Sequence, residues 1–349
     1  MQRNTWWVAA AVVAAVAAIV LGIVVGGDRE PRMAGGHGAM GHGEGGHDMS
    51  PVDVSRAPRI DPTIKPGQDL ASRMIDGVRE FQLEVSVVQW PILPNVYAGA
   101  YAYNGQVPGP TIRVRPGERV RIAVTNRLPE ATTVHWHGLD IPIDQDGVPF
   151  LSQPPIAPGA TFTYAFSVPA TPGTFFYHTH MHADRQQAVG LYGALVIEDN
   201  PPPHAAYTLS LGEWRIVGGK SYPAMPHDGM MPNYFTINGK SYPATETIRA
   251  RVGESILLRL VGSGQFIHPI HIHGGPFEIV ATDGFPVPPG ARLTKDTVLV
   301  GPGERYDVLW TARRPGKWLL HCHINHHTTN DGREVDGAGG MTLVIDVTA

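Results

Sequence analysis

The single cysteine of this chain lies in the run His321-Cys322-His323-Ile324-Asn325-His326-His327. A lone cysteine forms no intrachain disulfide, so its sulfur remains a thiol or thiolate. A thiolate flanked by imidazoles is a soft ligand set that suits copper. The residue types therefore predict a copper site at Cys322, through which electrons would reach a second metal site beside it.

Histidine is the compositional outlier, with 17 residues in a chain of 349. In a β-strand, residues i and i+2 point to the same face, so a His-x-His pair places two imidazoles side by side. Eight imidazoles converging from two domains would hold about three metal ions. There are four such pairs: His135/His137, His178/His180, His271/His273 and His321/His323.

Cys322 lies at the middle of the fourth pair and must face the opposite side of its strand. On that side it can meet His268 and His327, which together give the two-histidine, one-cysteine ligand set of a blue copper site. The His-Cys-His tripeptide is thus predicted to bridge two metal sites on opposite faces of one strand.

Two stretches of the chain repeat each other at a fixed offset. Thr111–Glu118 parallels Thr247–Glu254, and the same offset relates the first His-x-His pair to the third. A slightly larger offset relates the second pair to the fourth. An internal repeat of this kind predicts two homologous domains in tandem.

The repeat also shows where the two halves differ. His268 corresponds to Thr132, and Cys322 corresponds to Thr179. The first half therefore keeps both of its His-x-His pairs but lacks the cysteine and its partner histidine. We expect one blue copper site per chain, in the second domain.

The elements that must position these ligands are β-strands. Arg119–Val124 and Thr161–Val168 alternate polar and apolar residues with a period of two, and the 41 glycines and 32 prolines supply turns. The pattern predicts an all-β chain of two Greek-key sandwich or barrel domains, at residues 76–200 and 201–349.

Residues 1–27 are predicted to be a hydrophobic helix outside the globular domains. Trp6–Val25 is a nearly continuous apolar run, long enough to span a bilayer. Its length favours an uncleaved membrane anchor, and a cleaved signal peptide is the alternative. Both interpretations predict an exported protein, either anchored and facing the periplasm or cell exterior, or secreted.

Residues 28–75 are predicted to be a flexible linker, because they are rich in Gly, Pro and polar residues. The tract contains histidines and methionines that would bind copper, although an incidental composition is an equal alternative. These residues are His37, Met40, His42, His47 and Met49.

The copper motifs resemble those of the multicopper oxidases over residues 80–349. The matching segments are His135-Trp-His-Gly138, Tyr177-His-Thr-His180, His268-Pro-Ile-His-Ile-His273 and His321-Cys-His-Ile-x-x-His327. Asp146-Gly-Val-Pro-Phe150 is also similar to the family. The resemblance implies two cupredoxin-like domains and four copper ions per functional unit.

The resemblance also implies a role for each ligand. His268, Cys322 and His327 would bind the type 1 copper, with Met341 as its axial ligand. His135 and His271 would bind the type 2 copper. Asp146 would assist proton delivery, with Asp140 and Asp144 as rivals. The type 3 pair would be bound by His137, His178, His180, His273, His321 and His323.

The chain departs from the family pattern after His327. The family's axial residue follows the last type 1 histidine closely, whereas Met341 lies beyond the glycine-rich insertion Thr328–Gly340. Met341 starts the next predicted strand, so the insertion could loop out and return it to the copper. Asn325 stands where some relatives carry an acid of the proton relay.

The implied function is laccase-like. One-electron oxidation of phenol-like donors at the type 1 copper would be coupled to four-electron reduction of O₂ to water at a trinuclear cluster. Met225, Met230 and Met231 make cuprous oxidation for copper tolerance the alternative. Copper nitrite reductase and a non-catalytic copper-binding protein are less favoured.

Two-domain members of the family build their clusters between neighbouring subunits. The resemblance therefore implies a homotrimer with intersubunit trinuclear clusters. The net charge of −4 gives no indication of a nucleic-acid partner.

Overall fold

The computed structural model describes residues 48–199, 202–227 and 229–349, and their regular secondary structure is almost entirely β-strand. The prediction of an all-β fold is confirmed. The hydrophobic segment 1–27 and the tract histidines up to His47 lie outside the described residues. None of the helices in the described part has the length and apolar composition needed to cross a membrane.

Domain 1 contains two sheets. One has the order β1-β2-β5-β7 with β3 paired to β2, and the other has the order β4-β9-β8-β6. The elements are β1 (Ser72–Ile75), β2 (Val78–Leu93), β3 (Val96–Tyr103), β4 (Gly109–Val114), β5 (Arg119–Asn126), β6 (His135–His137), a 3₁₀ turn (Ile143–Gln145), β7 (Thr161–Ser167), β8 (Gly173–His178), α1 (Ala183–Gln186) and β9 (Tyr192–Ile197).

Domain 2 repeats this arrangement. Its sheets have the orders β11-β10-β14-β20-β16-β17, with β12 on β10 and β18 on β16, and β13-β22-β21-β15-β19. The strands are β10 (Ala205–Val217), β11 (Lys220–Tyr222), β12 (Tyr234–Ile237), β13 (Ile248–Arg251), β14 (Ser255–Gly262), β15 (His268–Ile272), β16 (Phe277–Thr282), β17 (Phe285–Pro286), β18 (Thr294–Lys295), β19 (Thr297–Val300), β20 (Arg305–Thr311), β21 (Gly316–Cys322) and β22 (Thr342–Thr348). The 3₁₀ turns are Pro289–Ala291 and Asn325–Thr328.

The core of each domain lies between its two sheets. Strand β5 shows how the sequence builds it, because Arg119 and Arg121 are exposed while Val120 and Ile122 are buried. Alternation of this kind places one face of a strand in the core and the other towards solvent. Cys322 belongs to the core cluster of domain 2, so the predicted thiolate ligand lies in the packed interior of that domain.

The two domains bury apolar and charged residues against each other. Trp90 of domain 1 and Trp214 of domain 2 share a third buried cluster, and Trp90 Nε1 donates to the Gly239 carbonyl at 2.7 Å. The buried guanidinium of Arg259 pairs with Glu198 and Asp307. A buried charge is retained only when it is paired, so these contacts fix the relative position of the domains.

The described part of the predicted linker, residues 48–75, lies against both domains. Val52 is buried and its amide donates to the Ser221 carbonyl at 2.9 Å. Ile60 and Ile64 pack on the buried cluster between the domains. Apolar residues spaced along this Pro-rich stretch hold it in place from Val52 onwards.

Candidate copper centres

The candidate type 1 site consists of His268, Cys322 and His327. Strand β15 begins at His268 and its neighbour β21 ends at Cys322, while the 3₁₀ turn that follows carries His327. The sulfur lies 3.8 Å from His268 Nδ1 and 3.4 Å from His327 Nδ1, and the two nitrogens are 3.3 Å apart. All three residues are buried. The structure therefore brings together the three ligands that the sequence predicts for this site.

The donor set fits a copper ion. His268 Nε2 donates to the buried carboxylate of Glu213 at 2.5 Å, which leaves a lone pair on Nδ1. Burial lowers the pKa of His327 to about 3, so its ring stays neutral, and burial raises the pKa of the Cys322 thiol to about 12. Two imidazole nitrogens and a sulfur converge on one point, and a soft cation would satisfy them and favour the thiolate.

Met341 is brought back to this site by the glycine-rich insertion. Cys322 donates its amide to the Met341 carbonyl at 3.1 Å, and the Met341 amide donates to the His327 carbonyl at 2.8 Å. Gly340 has a φ of +49°, and a Cβ there would overlap the His327 carbonyl oxygen. The close approach thus requires glycine, and it places the buried Met341 next to two of the candidate copper ligands.

The domain 1 histidine cluster consists of His135, His137, His178 and His180. The ring of His135 lies 5.7, 5.3 and 5.6 Å from those of His137, His178 and His180, measured between centroids. His137 Nδ1 and His178 Nε2 are 3.2 Å apart. Burial lowers the pKa of His137 to about 4 and that of His178 to about 3, so both rings remain neutral ligands at neutral pH.

The domain 2 histidine cluster consists of His271, His273, His321 and His323. The ring of His271 lies 4.9, 5.7 and 5.7 Å from those of His273, His321 and His323. His273 Nε2 and His321 Nε2 are 3.1 Å apart. Burial also lowers the pKa of His273 and of His321.

The first histidine of each HxH motif on β6 and β15 is oriented by a backbone carbonyl. His135 Nδ1 donates to the Asp146 carbonyl at 2.8 Å, and His271 Nδ1 donates to the Asp296 carbonyl at 2.9 Å. This bond fixes the tautomer, so Nε2 carries the lone pair that a metal needs. Gly147, at φ +81°, allows the Asp146 loop to press against β6, because a Cβ there would overlap the Val134 carbonyl.

One further histidine in each cluster is also oriented by a backbone carbonyl. His178 Nδ1 donates to the Thr179 carbonyl at 2.7 Å, and His321 Nδ1 donates to the Cys322 carbonyl at 2.9 Å. Cys322 therefore contributes its sulfur to the candidate type 1 site and its carbonyl to the orientation of a cluster histidine. The two sites are linked through one residue.

Asp146 is the predicted acid that contacts a cluster. Its carboxylate oxygen lies 3.4 Å from His135 Nδ1, and its side chain is about one-quarter exposed. Asp140 and Asp144, the two rivals, are exposed. The Asp146 carboxylate thus contacts both solvent and the edge of the domain 1 cluster.

Two residues near the candidate type 1 site were not singled out by sequence reasoning. Glu213 lies on β10, and Phe235 on β12 stacks on the His327 ring at 3.9 Å between centroids. Both belong to the other sheet of domain 2, so no local spacing relates them to the copper motifs. The one feature of the sequence that could have pointed to Glu213 is a carboxylate within the largely apolar strand β10.

The two histidine clusters open onto the surface at separate places. His180, His273 and His323 are exposed, and no ring contact among the described residues joins one cluster to the other. Exposed apolar side chains follow the domain 1 cluster in sequence, with Phe150 79% and Leu151 85% exposed. Each cluster therefore has a side that the described residues leave uncovered.

Comparisons with known proteins agree with this geometry. Multicopper oxidase family models match residues 84–202 and 221–332. Among solved structures, the blue copper oxidase from Nitrosomonas europaea has a TM-score of 0.70 and 37% identity, over 77% of this chain and 86% of that one. The multicopper oxidase mgLAC has the same TM-score and coverage with 32% identity.

Curated relatives are longer. The multicopper oxidase MmcO of Mycobacterium tuberculosis is 34% identical over 246 residues, which are 60% of this chain and 47% of the relative. Laccase-2 of Botryotinia fuckeliana is 32% identical over 72% of this chain and 47% of its own length. The chain spans about half the length of the curated relatives it matches. With two cupredoxin-like domains, two four-histidine clusters and a His-Cys-His bridge, the chain belongs to the multicopper oxidase family.

Proposed function

We propose that this chain is a laccase-like copper oxidase that oxidises small phenol-like donors and reduces O₂ to water. The observation that supports it best is the His321-Cys322-His323 bridge. Cys322 directs its sulfur into the candidate type 1 site, while the two adjacent rings belong to the domain 2 histidine cluster. An electron that arrives at the buried thiolate has a covalent path of one residue to the cluster.

The ligand roles follow from the three groups of donors. His268, Cys322 and His327 would hold the type 1 copper, with Met341 as axial ligand. His135 and His271 would hold the type 2 copper, and the other six cluster histidines would hold the type 3 pair. When bound, these ions supply one-electron redox chemistry and a binding place for O₂.

The residues around the ligands have their own tasks. Backbone carbonyls fix the cluster tautomers, which keeps the metal-facing nitrogens free of protons. Asp146 holds a carboxylate beside His135, where it can pass protons from solvent to the reduction site. Phe235 and the core of domain 2 exclude water from the candidate type 1 site.

The test is O₂ consumption by the copper-loaded protein with a phenolic donor. We expect four donor molecules oxidised for each O₂ consumed, with no hydrogen peroxide released. A loaded protein that consumes no O₂ would contradict the proposal and favour a non-catalytic copper store. Consumption of nitrite in place of O₂ would favour a nitrite reductase.

The two open clusters support a homotrimer in which the domain 1 cluster of one subunit faces the domain 2 cluster of the next. Each cluster has four histidines and an uncovered side, and eight ligands are needed for three metal ions. The exposed Phe150 and Leu151 would be covered by such an interface, since large exposed apolar side chains favour association.

Subunit complementation tests this arrangement. His178→Asn damages the domain 1 cluster, and His321→Asn damages the domain 2 cluster, so each variant alone should be inactive. Co-expression of the two variants should restore part of the activity, because some interfaces then join two intact halves. Inactive mixed oligomers, or a fully active monomer by light scattering, would contradict intersubunit clusters.

Oxidation of Cu(I) remains the second candidate for the donor. Met225 and Met230 pair through their backbones in a turn that leads to β12, whose Phe235 stacks on His327. Met231 is exposed in the same stretch, and thioethers bind Cu(I). Comparing phenol and Cu(I) turnover with and without residues 28–47, a deletion that keeps the packed residues from Val52 onwards, would distinguish the two donors.

The hydrophobic segment 1–27 supports an exported protein held at the membrane. The apolar run spans the length of a bilayer, and export suits an enzyme that takes copper and phenols from outside the cytoplasm. Cell fractionation and the N-terminal sequence of the mature protein test this. Recovery of the intact chain in the cytoplasm would contradict it.

A further inference from the structure

Glu213 is a buried carboxylate with a histidine as its only ionic partner among the described residues. Its side chain is 3% exposed, and its Oε1 lies 2.5 Å from His268 Nε2. Its other oxygen accepts the Gln265 amide at 3.1 Å. Burying a carboxylate is costly unless it is paired and hydrogen-bonded, so the position is not explained by packing alone.

The hydrogen bond determines which nitrogen of His268 faces the candidate type 1 site. A carboxylate acceptor at Nε2 holds the proton there and leaves Nδ1 as the free donor atom. Nδ1 is the atom that lies 3.8 Å from the Cys322 sulfur and 3.3 Å from His327 Nδ1. The ring is thus held in the tautomer and orientation that a metal ligand requires.

Domain 1 provides an internal comparison for this residue. Ala205 on β10 pairs with Ile256, and Arg79 on β2 pairs with Val120, the repeat partner of Ile256. Val87 lies as many residues after Arg79 as Glu213 lies after Ala205. Val87 of domain 1 therefore corresponds to Glu213 of domain 2.

A second register gives the same result. Tyr101 on β3 and Phe235 on β12 correspond, because each stands three residues before an Asn-Gly turn. Val87 pairs with Tyr101, and Glu213 pairs with Phe235. Val87 packs against the apolar core of domain 1, where Thr132 replaces His268. The carboxylate is present only in the domain that has a histidine for it to hold.

We propose that Glu213 is a positioning residue of the type 1 copper site, which holds His268 through Nε2 and lowers the reduction potential of the copper. The proposal rests on the function proposed above. A negative charge hydrogen-bonded to a ligand makes that ligand more basic and favours the oxidised, more positive ion. The residue does not contact the donor, because it lies within the protein interior.

Glu213→Gln is the informative variant, because glutamine keeps the shape and removes the charge. We expect the type 1 copper affinity to fall about tenfold to a hundredfold, as is typical when the hydrogen-bond partner of a metal ligand is altered. The reduction potential should rise and the blue absorption band should shift. Glu246→Gln, which removes an exposed carboxylate of the same domain, should match the wild type in all three.

Wild-type affinity, potential and absorption in Glu213→Gln would overturn the proposal. A wild-type protein with no blue copper would instead contradict the proposed function.

The tautomer of His268 gives a second measurement that needs neither copper nor a stable variant. Nitrogen NMR of histidine-labelled wild-type apoprotein should show His268 protonated at Nε2, and protonation at Nδ1 would overturn the proposal even if Glu213→Gln did not fold.

Discussion

Corresponding positions of the two domains hold different chemistry. In domain 2, the Cys322 sulfur and one ring nitrogen each of His268 and His327 converge as three buried atoms that can bind a metal ion. In domain 1, the corresponding Thr132 and Thr179 are 3.2 Å apart between hydroxyl oxygens.

Each of these hydroxyls donates to the side-chain oxygen of Gln186 at 2.9 Å. The Gln186 side-chain nitrogen donates in turn to the Ala131 carbonyl at 2.8 Å. Buried polar groups need partners, and domain 1 supplies them internally, whereas domain 2 leaves them for a metal ion. The faces that carry the His-x-His pairs are alike in the two domains, so the difference is confined to the position of the candidate type 1 site.

Replacing His268 and Cys322 of domain 2 with their domain 1 counterparts should have the largest effect on activity. The double variant His268→Thr/Cys322→Thr removes the thiolate and one imidazole, so no blue copper can form. We expect complete loss of donor oxidation, measured as O₂ consumption, while copper remains at the histidine clusters. The matched control is Thr179→Ser in domain 1, which keeps the hydroxyl and should retain activity. Donor oxidation by the double variant would contradict the assignment.

Breaking the hydrogen-bond network of domain 1 should affect stability alone. Gln186→Leu removes the acceptor that the two threonine hydroxyls share and the side-chain donor to the Ala131 carbonyl, which should lower the free energy of unfolding by about 1–3 kcal/mol. Urea unfolding of the apoprotein measures this loss, with the exposed Gln82→Leu as control. The blue absorption per chain should not change. A reduced blue band with unchanged stability would show that domain 1 takes part in the type 1 site.

Acid should destabilise the apoprotein through histidines of both domains. The folded pKa values of His178 and His327 are about 3, against an ordinary value of 6.5. Below 6.5 the unfolded chain therefore binds more protons than the folded one, and the free energy of unfolding decreases as pH falls towards 3.

Urea unfolding at about one pH unit above and about two units below 6.5 measures this effect. His178→Asn should show a weaker pH dependence, because it removes one of the titrating groups. A stability that rises on acidification would contradict the neutral, buried state of these rings.

The sequence allows the ligands to be predicted because strand geometry alone relates them. His135 and His137 share a face for the same reason that His271 and His273 do, and the repeat relates one pair to the other. Met341 could be placed near the site only as a possibility, since its return depends on the turn at Gly340.

Glu213 and Gln186 could not be predicted in this way. Glu213 reaches His268 across the space between two sheets, and Gln186 reaches Thr132 and Thr179 from the short helix α1. Contacts of this kind depend on how sheets and helices pack, which no periodicity within one strand encodes. Sequence spacing therefore predicted which histidines share a strand face, and the structure was needed to find the residues that contact His268 or that occupy the corresponding place in domain 1.

Each chain is proposed to hold a single type 1 copper, bound by Cys322 in domain 2. The most direct test is the visible absorption and copper content of fully loaded wild type and Cys322→Ser. We expect the blue band to disappear in the variant, with the loss of one copper per chain and retention of the copper bound by the histidine clusters. A blue band that persists in Cys322→Ser would contradict the claim, because no other residue of the chain can supply a thiolate.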